Sequence, residues 1–185
     1  MIMIIKPQDI VVLAKLLANQ DNMSWSQNSI AFELCLSPSQ INSAFKRLVS
    51  AALITPYHPP NKPQPIVQAC EEFFTHGLKY IFPAKLGEIV RGVPTSYAGP
   101  RLKNQIVAGH EPIPVWPYGE GDERGVALKP LYASVPESVI KHPDPLFYDL
   151  LTLIDAIRSG RAREKQIAVQ EISKILQSKK SVPNE

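Results

Sequence analysis

Residues 36–54 read LSPSQINSAFKRLVSAALI and contain the strongest fold signal in the sequence. Ser37 is suited to cap the N-terminus of a helix, Pro38 suits its first turn, and Gln40 can bond back to the cap residue. The apolar residues that follow recur at helical spacing and gather on one side: Ile41, Phe45, Leu48, Val49 and Ala52. The segment therefore predicts a capped amphipathic helix with one face in a hydrophobic core.

The opposite side of this helix carries small polar groups and a cation. These residues are Ser39, Asn42, Ser43, Lys46 and Ser50. Such a face can lie against the phosphates and base edges of a DNA groove while the apolar face stays on a core. A polar face that meets only solvent is the common alternative, and the helix alone does not decide between the two.

The flanking segments predict the rest of a small DNA-binding unit. One helix starts at Pro7 and ends in the polar residues 19–22, and a second, short helix follows Ser26 as its N-cap. After the third helix, residues 55–67 form an extended stretch with five prolines and no glycine, which argues against a tight two-residue hairpin. Three short helices and an extended stretch indicate a helix-turn-helix followed by a wing.

Residues 36–54 also resemble the L-S-x-S-x-V-x-x-A-x-x-R-L-x-x-A-G-L-I run of winged-helix bacterial transcriptional regulators, including those of the MarR type. The resemblance covers about residues 5–68, and Ala52 stands where that run has glycine. It implies that residues 37–51 are the recognition helix. We expect DNA contacts from Ser37, Ser39, Gln40, Asn42, Ser43, Lys46 and Arg47 on the helix and from His58, Asn61 and Lys62 in the wing.

The chain divides into three predicted segments. Residues 1–77 form the winged helix-turn-helix domain, closed by a helix over 66–76 with Gly77 after it. Residues 78–135 form a Pro/Gly-rich mixed module, and residues 136–185 form C-terminal helices. The expected fold class is therefore α+β, with an N-terminal winged helix-turn-helix, a Pro/Gly-rich central module with short strands and a C-terminal helical pair.

The later segments give less specific signals. Alternation in Leu78–Phe82 predicts a strand. Further short strands are expected around Ile89–Val90, Gln105–Val107, Val115–Trp116 and Val126–Ala127. Helices are expected over Pro136–Lys141, Pro145–Ile157 and Arg161–Gln177, followed by a frayed polar tail at 178–185. The second of these helices is apolar over so much of its surface that we expect it and the third helix to help form a dimer. The alternative is that the central module covers the apolar helix within one chain.

Two charged clusters each leave alternatives open. The basic cluster consists of Arg158, Arg161, Arg163 and Lys165. It can hold a phosphate or an acidic partner, or it can stabilise the end of the preceding helix. The acidic cluster consists of Glu120, Asp122 and Glu123. Its glycine neighbours lack G-x-G-x-x-G spacing, which favours a solvated turn over a nucleotide loop or a metal site.

Composition excludes several classes of protein. The 185 residues are 44% hydrophobic, which is enough to bury a core, and the net charge of +3 permits nucleic acid as a partner without arguing for it. Two cysteines are too few for a disulfide framework, and no hydrolytic or zinc motif occurs, so we expect no enzyme, metal or cofactor. The apolar run Met1–Ile5 is too short for a signal peptide or a membrane span, so we expect a cytoplasmic protein.

Together these patterns predict a sequence-specific transcriptional regulator, a repressor that binds double-stranded DNA as a homodimer. A dimer is expected because one recognition helix reads few base pairs. The alternative is a protein-interaction module, such as an antitoxin that binds a partner protein encoded beside it and represses its own operon.

Overall fold

The computed structural model describes residues 4–22, 24–106 and 109–180 and shows a mixed α and β chain. The expectations that concern Met1 to Met3, Val107 and the last five residues fall outside this part of the chain. Among the helices of the described ranges, none is both long and apolar enough to span a membrane.

Three helices open the chain: α1 (Pro7–Ala18), α2 (Gln27–Glu33) and α3 (Pro38–Ser50). The caps predicted for α2 and α3 are both present. Ser26 Oγ accepts a hydrogen bond from the backbone N–H of Ser29 at 3.0 Å. At α3, Ser37 Oγ accepts from Gln40 N at 3.2 Å and Gln40 Oε1 accepts from Ser37 N at 2.9 Å. The local sequence therefore sets where both helices begin.

Both α2 and α3 are followed by a left-handed residue that is not glycine. Cys35 has φ 52° and Ala52 has φ 55°. After α3, Ala52 N bonds to Val49 O and Leu53 N bonds to Leu48 O, both at 3.0 Å. Helices that end with this pattern of hydrogen bonds usually have glycine at the left-handed position. The chain thus turns sharply after α3 with an alanine where glycine is favoured.

The proline-rich stretch after α3 folds back on itself as an irregular hairpin over residues 53–66, called the proline hairpin below. Ile54 forms an antiparallel bridge with Pro65, and His58 forms one with Asn61. Asn61 N bonds to His58 O at 2.7 Å, so two residues form the tip. The expectation that this composition prevents a two-residue turn is wrong. Both tip residues are prolines, and the turn requires no N–H donor from them.

The next helix continues past its predicted end. α4 (Val67–Glu72), a π-helical turn (Phe73–Gly77) and α5 (Leu78–Ile81) follow each other without a break. Gly77 keeps a right-handed backbone with φ −93° and does not end the helix. The strand predicted at Leu78–Phe82 is wrong, because these residues form α5 and end it. Leu78 is fully buried within this helix. An alternation of five residues is too short to distinguish a strand from a buried helical turn.

The central module contains a small closed sheet of β1 (Leu86–Pro94), β2 (Pro114–Pro117) and β3 (Glu123–Leu128). β1 runs antiparallel to both other strands, and β2 and β3 are parallel. Two glycines permit the close approach of the strands. A Cβ on Gly92 would lie 2.0 Å from the carbonyl oxygen of Trp116, and one on Gly125 would lie 1.9 Å from that of Ile113.

Three of the four short strands expected around residues 89–127 are confirmed. Ile89–Val90, Val115–Trp116 and Val126–Ala127 lie in β1, β2 and β3. Gln105 and Ile106 instead belong to a turn, in which Ile106 N bonds to Leu102 O at 3.1 Å.

α6 (Val135–Lys141), α7 (Pro145–Ser159) and α8 (Ala162–Lys180) lie where the sequence predicts helices. The predicted frayed tail is wrong for residues 178–180, which continue α8. The apolar surface of α7 is covered within the chain by α1, α8 and the 3-10 turn Ser96–Ala98, among other elements. Residues 150–157 of α7 are all buried. The apolar surface of α7 therefore does not require a second copy of the chain.

A buried polar cluster joins the small sheet to α7. Asp155 is 1% exposed and accepts three hydrogen bonds: from Thr95 Oγ1 at 2.8 Å, Trp116 Nε1 at 2.6 Å and Arg158 Nη1 at 2.6 Å. Burial raises the pKa of Asp155, and the charge of Arg158 acts in the opposite direction. Arg158 Nε also donates to the carbonyl of Phe82 at 2.7 Å. Arg158, a member of the predicted basic cluster, is thus held inside the fold.

All three predicted segments contribute to one continuous core. Buried apolar side chains of the first helices, the small sheet and the C-terminal helices form a single cluster. Ile10 in α1, Trp116 in β2 and Ile154 in α7 are each at most 1% exposed. α3 is therefore attached to a large folded body through α1, which also packs on α7.

Candidate nucleic-acid interface

The outward face of α3 keeps the polar side chains that the sequence places there. Ser39, Asn42 and Lys46 are exposed, and Ser43 is half-buried. At about 100° per residue, the three exposed side chains fall within about 60° of one another. On the other side, Ile41 has no exposed surface. The helix thus separates a buried apolar face from a narrow polar stripe.

This polar stripe is available for an external partner. Within the described ranges, Ser39, Asn42, Ser43 and Lys46 form no side-chain hydrogen bond or ion pair. The Asn42 amide can both donate and accept, which suits the N6 and N7 atoms of adenine. The Lys46 ammonium suits a phosphate or the edge of guanine. The stripe therefore combines groups suited to base edges with a cation suited to the phosphate backbone of a nucleic acid.

Arg47 has a different environment from its neighbour Lys46. Its Nε and Nη2 atoms donate to Asp9 Oδ2 and Oδ1, both at 2.7 Å. The Asp9 side chain is fully buried, and that of Arg47 is 12% exposed. The hydrogen bonds that Arg47 donates to Asp9 raise the pKa of Arg47. The Arg47 guanidinium therefore joins α3 to α1.

An aromatic contact fixes the apolar face of α3. Phe45 is 6% exposed, and its ring meets that of Trp25 edge to face, with centroids 6.0 Å apart and planes at 88°. Trp25 precedes the N-cap of α2, so this contact connects the start of α2 to the middle of α3. The angle between the two helices is therefore set by packing rather than by the turn alone.

Three more of the sequence-predicted contacts already have partners in the fold. Ser37 and Gln40 form the capping box of α3, and Gln40 Nε2 also donates to the Tyr132 hydroxyl at 2.9 Å. Lys62 donates to the backbone carbonyl of Trp25, and its ammonium lies 5.0 Å from the centre of the Trp25 ring. These side chains position α3 and the proline hairpin.

His58 and Asn61 lie at the two ends of the proline hairpin's tip and are both exposed. The base of the hairpin is tied together by a bond from Thr55 N to Gln64 O at 2.8 Å. At the same base, the Cys70 thiol donates to the Leu53 carbonyl at 3.4 Å. The hairpin is thus anchored where it leaves the core and presents its tip to solvent.

One flank of the α2–α3 unit is closed by the segment that contains α6. The ring of Phe32 on α2 lies 4.5 Å from that of His142, just after α6. On the same side, Lys15 forms ion pairs with Glu33 at 2.6 Å and with Asp144 at 2.7 Å. Glu33 and Asp144 are therefore both paired with the same cation.

The two charged clusters singled out in the sequence are not joined into one site. Arg161 pairs with Glu111 at 2.5 Å, at the rim of a cavity of about 160 Å³ that Tyr97 and Ser159 also line. Arg163 is exposed. The acidic cluster, Glu120, Asp122 and Glu123, is exposed at the turn before β3 and its first residue.

The two cysteines lie in different surroundings and are both free thiols. Cys70 is buried, and burial raises its pKa to about 12. Cys35 is half-buried, and its pKa is also raised, mainly by burial. Cys70 is a small core residue on α4, whereas Cys35 occupies the turn between α2 and α3.

Sequence reasoning missed two arginines that the small sheet brings together. Arg91 on β1 lies directly opposite Arg124 on β3, and both are exposed. Their separation along the chain gives no signal of this proximity, which depends on the register of two strands. No pattern in the sequence identifies that register.

Comparison with known proteins gives no match to a family model, a curated protein or a solved structure. Among the described residues, no group of three or more histidine, cysteine or acidic side chains is arranged to hold a metal ion. The function of the chain is therefore inferred from the geometry of its own residues.

Proposed function

We propose that the chain is a sequence-specific DNA-binding transcriptional regulator, with α1–α3 and the proline hairpin acting as a winged helix-turn-helix. The observation that carries this proposal is the outward face of α3. Its four polar side chains have no partner within the described residues, while the other face of the same helix is locked on the core. A capped, rigid helix with an unpaired polar stripe suits insertion into a major groove.

In this proposal the polar groups have distinct roles. Asn42 reads a base edge, Ser39 and Ser43 contact an edge or a phosphate, and Lys46 neutralises a phosphate. The exposed tip of the proline hairpin, with His58 and Asn61, acts as a wing and contacts the DNA backbone beside the groove. Ser37 and Gln40 hold the start of the helix, where base contacts are usually made.

The proposed regulator acts as a homodimer and represses transcription. One α3 spans few base pairs, and two copies related by a twofold axis read two half-sites of an operator. Occupation of such a site excludes other proteins from the same stretch of DNA. We expect the preferred site to be a pseudo-palindrome for this reason.

A binding selection from random duplexes, followed by titration of the intact chain on the selected and on a scrambled duplex, tests this proposal. Asn42→Ala should weaken binding to the selected duplex by about 1–3 kcal/mol and leave the scrambled duplex nearly unaffected. Gln68→Ala is the matched control, because Gln68 is an exposed amide on α4. It should bind both duplexes as the intact chain does.

Two results contradict the proposal. The first is a selection that enriches no sequence and an intact chain that binds no duplex at low salt. The second is an equal loss of affinity for both duplexes on Asn42→Ala, which would show that this residue does not read sequence. The first result would favour the alternative of a protein-interaction module such as an antitoxin.

A further inference from the structure

The outer face of the small sheet carries two arginines directly opposite each other. Arg91 and Arg124 are cross-strand partners on β1 and β3, so their side chains leave the same face of the sheet. Like charges in this arrangement repel each other. Neither guanidinium forms an ion pair or a hydrogen bond with the residues that the structure describes. No acidic side chain in the described part of the chain therefore offsets the repulsion between these two arginines.

Aliphatic side chains continue along the same face. Ile89 pairs with Val126 two residues further along the ladder, and Leu86 lies beyond an irregularity in β1. Leu86 is 62% exposed and Ile89 is 48% exposed. We call Arg91, Arg124, Ile89, Val126 and Leu86 the arginine–aliphatic track. At about 3.3 Å per residue, it extends over roughly 17 Å along β1.

The composition of the track argues against a nucleic acid as its occupant. A phosphate backbone would neutralise the arginines but offers no apolar surface to Leu86 and Ile89. The acidic cluster, which comprises Glu120, Asp122 and Glu123, lies in the turn that leads into β3, at the arginine end of the track. A long polyanion that passes over the arginines continues over these carboxylates, which repel it, whereas a short segment with only two anionic groups can end at the arginines.

The acidic cluster also argues against a second copy of the chain. A twofold arrangement that places the acidic cluster of one copy on the arginines of another has its axis near that end of the track. The two copies then extend away from each other, and the aliphatic end at Leu86 stays uncovered. An occupant that covers both ends carries its acidic and aliphatic groups along one short segment.

We propose that the arginine–aliphatic track binds a segment of another protein that carries two neighbouring carboxylates followed by aliphatic side chains. Arg91 and Arg124 hold the carboxylates through paired N–H groups, a geometry that arginine favours. The aliphatic side chains of the segment cover Ile89 and Leu86. This interaction goes beyond DNA binding and uses a surface outside α1–α3 and the proline hairpin.

The test selects a display library of short random peptides on the intact full-length chain and then measures the binding of the selected peptides to the intact chain and to the variant Arg124→Glu. We expect adjacent Asp or Glu residues followed by Leu, Ile or Val in the selected peptides. Arg124→Glu should weaken their binding about tenfold or more, because charge-assisted hydrogen bonds are lost. The affinity for the intact chain should also fall as salt is added.

Arg124→Glu is informative because it replaces a repulsive pair with an attractive one. Its melting temperature should equal or exceed that of the intact chain, so a loss of peptide binding does not reflect unfolding. Lys129→Glu is the control, since Lys129 is an exposed cation just after β3. It should retain peptide binding within about twofold, as expected for a charge outside the contact.

Five results overturn the proposal. The first two are a selection that returns no peptide and a selection that returns peptides without the acidic pair. The third is a loss of peptide binding on Lys129→Glu as large as that on Arg124→Glu. A chain that sediments as a dimer and becomes monomeric on Arg124→Glu assigns the track to a second copy. A duplex affinity that falls on Arg124→Glu assigns it to DNA. An unchanged duplex affinity, with peptide binding lost, supports the proposal and leaves the function of α3 to its own test.

Discussion

Lys46 and Arg47 are adjacent cations on α3, and we expect the removal of each to affect a different property of the protein. Lys46 is exposed and has no partner among the described residues, whereas Arg47 forms two hydrogen bonds of 2.7 Å with the buried Asp9. Arg47→Ala should destabilise the fold, and Lys46→Ala should weaken DNA binding. The two substitutions thus separate the structural flank of the helix from its proposed DNA-facing stripe.

The magnitude for Arg47→Ala follows from the burial of its partner. The Asp9 side chain has no exposed surface, and besides Arg47 it accepts a backbone bond from Lys6 N at 2.8 Å. Removal of Arg47 leaves a buried carboxylate with one donor, and the loss of one partner of a buried ion pair costs about 3–5 kcal/mol. That is a large part of the total stability of an ordinary domain, which is about 5–15 kcal/mol.

For Lys46→Ala we expect a change in unfolding free energy within about 0.5 kcal/mol. The effect should appear instead in the salt dependence of duplex binding, whose slope should fall by about 0.9 for one lost phosphate contact. Urea unfolding and duplex titration at several salt concentrations measure the two quantities on the same samples. An unchanged urea midpoint for Arg47→Ala would refute the structural role of Arg47. An unchanged salt slope for Lys46→Ala would remove Lys46 from the interface.

Three further substitutions test how the body of the protein is held together. Phe45→Ala should lower the unfolding free energy by roughly 3–5 kcal/mol in urea, because it leaves a cavity against Trp25; an unchanged midpoint would contradict the orientation of α3. Ala52→Gly should raise the unfolding free energy by about 1 kcal/mol, since glycine adopts φ 55° without strain. Ala51→Gly is the control and should not raise it, because Ala51 has an ordinary φ of −86°. Asp155→Ala should lower the unfolding free energy by about 3–5 kcal/mol, because the 5% exposed side chain of Arg158 loses its carboxylate partner. It should also shift tryptophan emission, because Trp116 loses its hydrogen bond to Asp155. Equal stability would show that the cluster does not join the sheet to α7.

The helix starts were predictable because their signals are local. The Ser37 cap, Pro38 in the first turn and the reciprocal bond of Gln40 lie within four residues of one another. Such motifs satisfy the free N–H groups of a first helical turn with side chains that are always nearby. No distant part of the chain is needed to form them. The same holds for Pro145, which opens α7 after the capping carboxylate of Asp144.

The central module was less predictable because its structure depends on contacts between distant residues. Gly92 and Gly125 allow the carbonyl groups of Trp116 and Ile113 to approach closely, and this role becomes visible only once the strands are paired. The helical state of Leu78 depends on burial in a core to which all parts of the chain contribute. Short segments with a weak local preference adopt the structure that their surroundings favour.

The site on α3 shows the same division at the level of single side chains. A helical wheel separates apolar from polar positions, and it correctly places Asn42 and Lys46 outside the core. It cannot show that Arg47, on the edge of the polar side, meets a carboxylate on α1. Whether a charged residue beside an apolar stripe binds a ligand or holds a helix depends on which neighbour contains its counter-charge. For Arg47 that neighbour is Asp9, and the remaining polar stripe is the part of α3 that we propose contacts DNA.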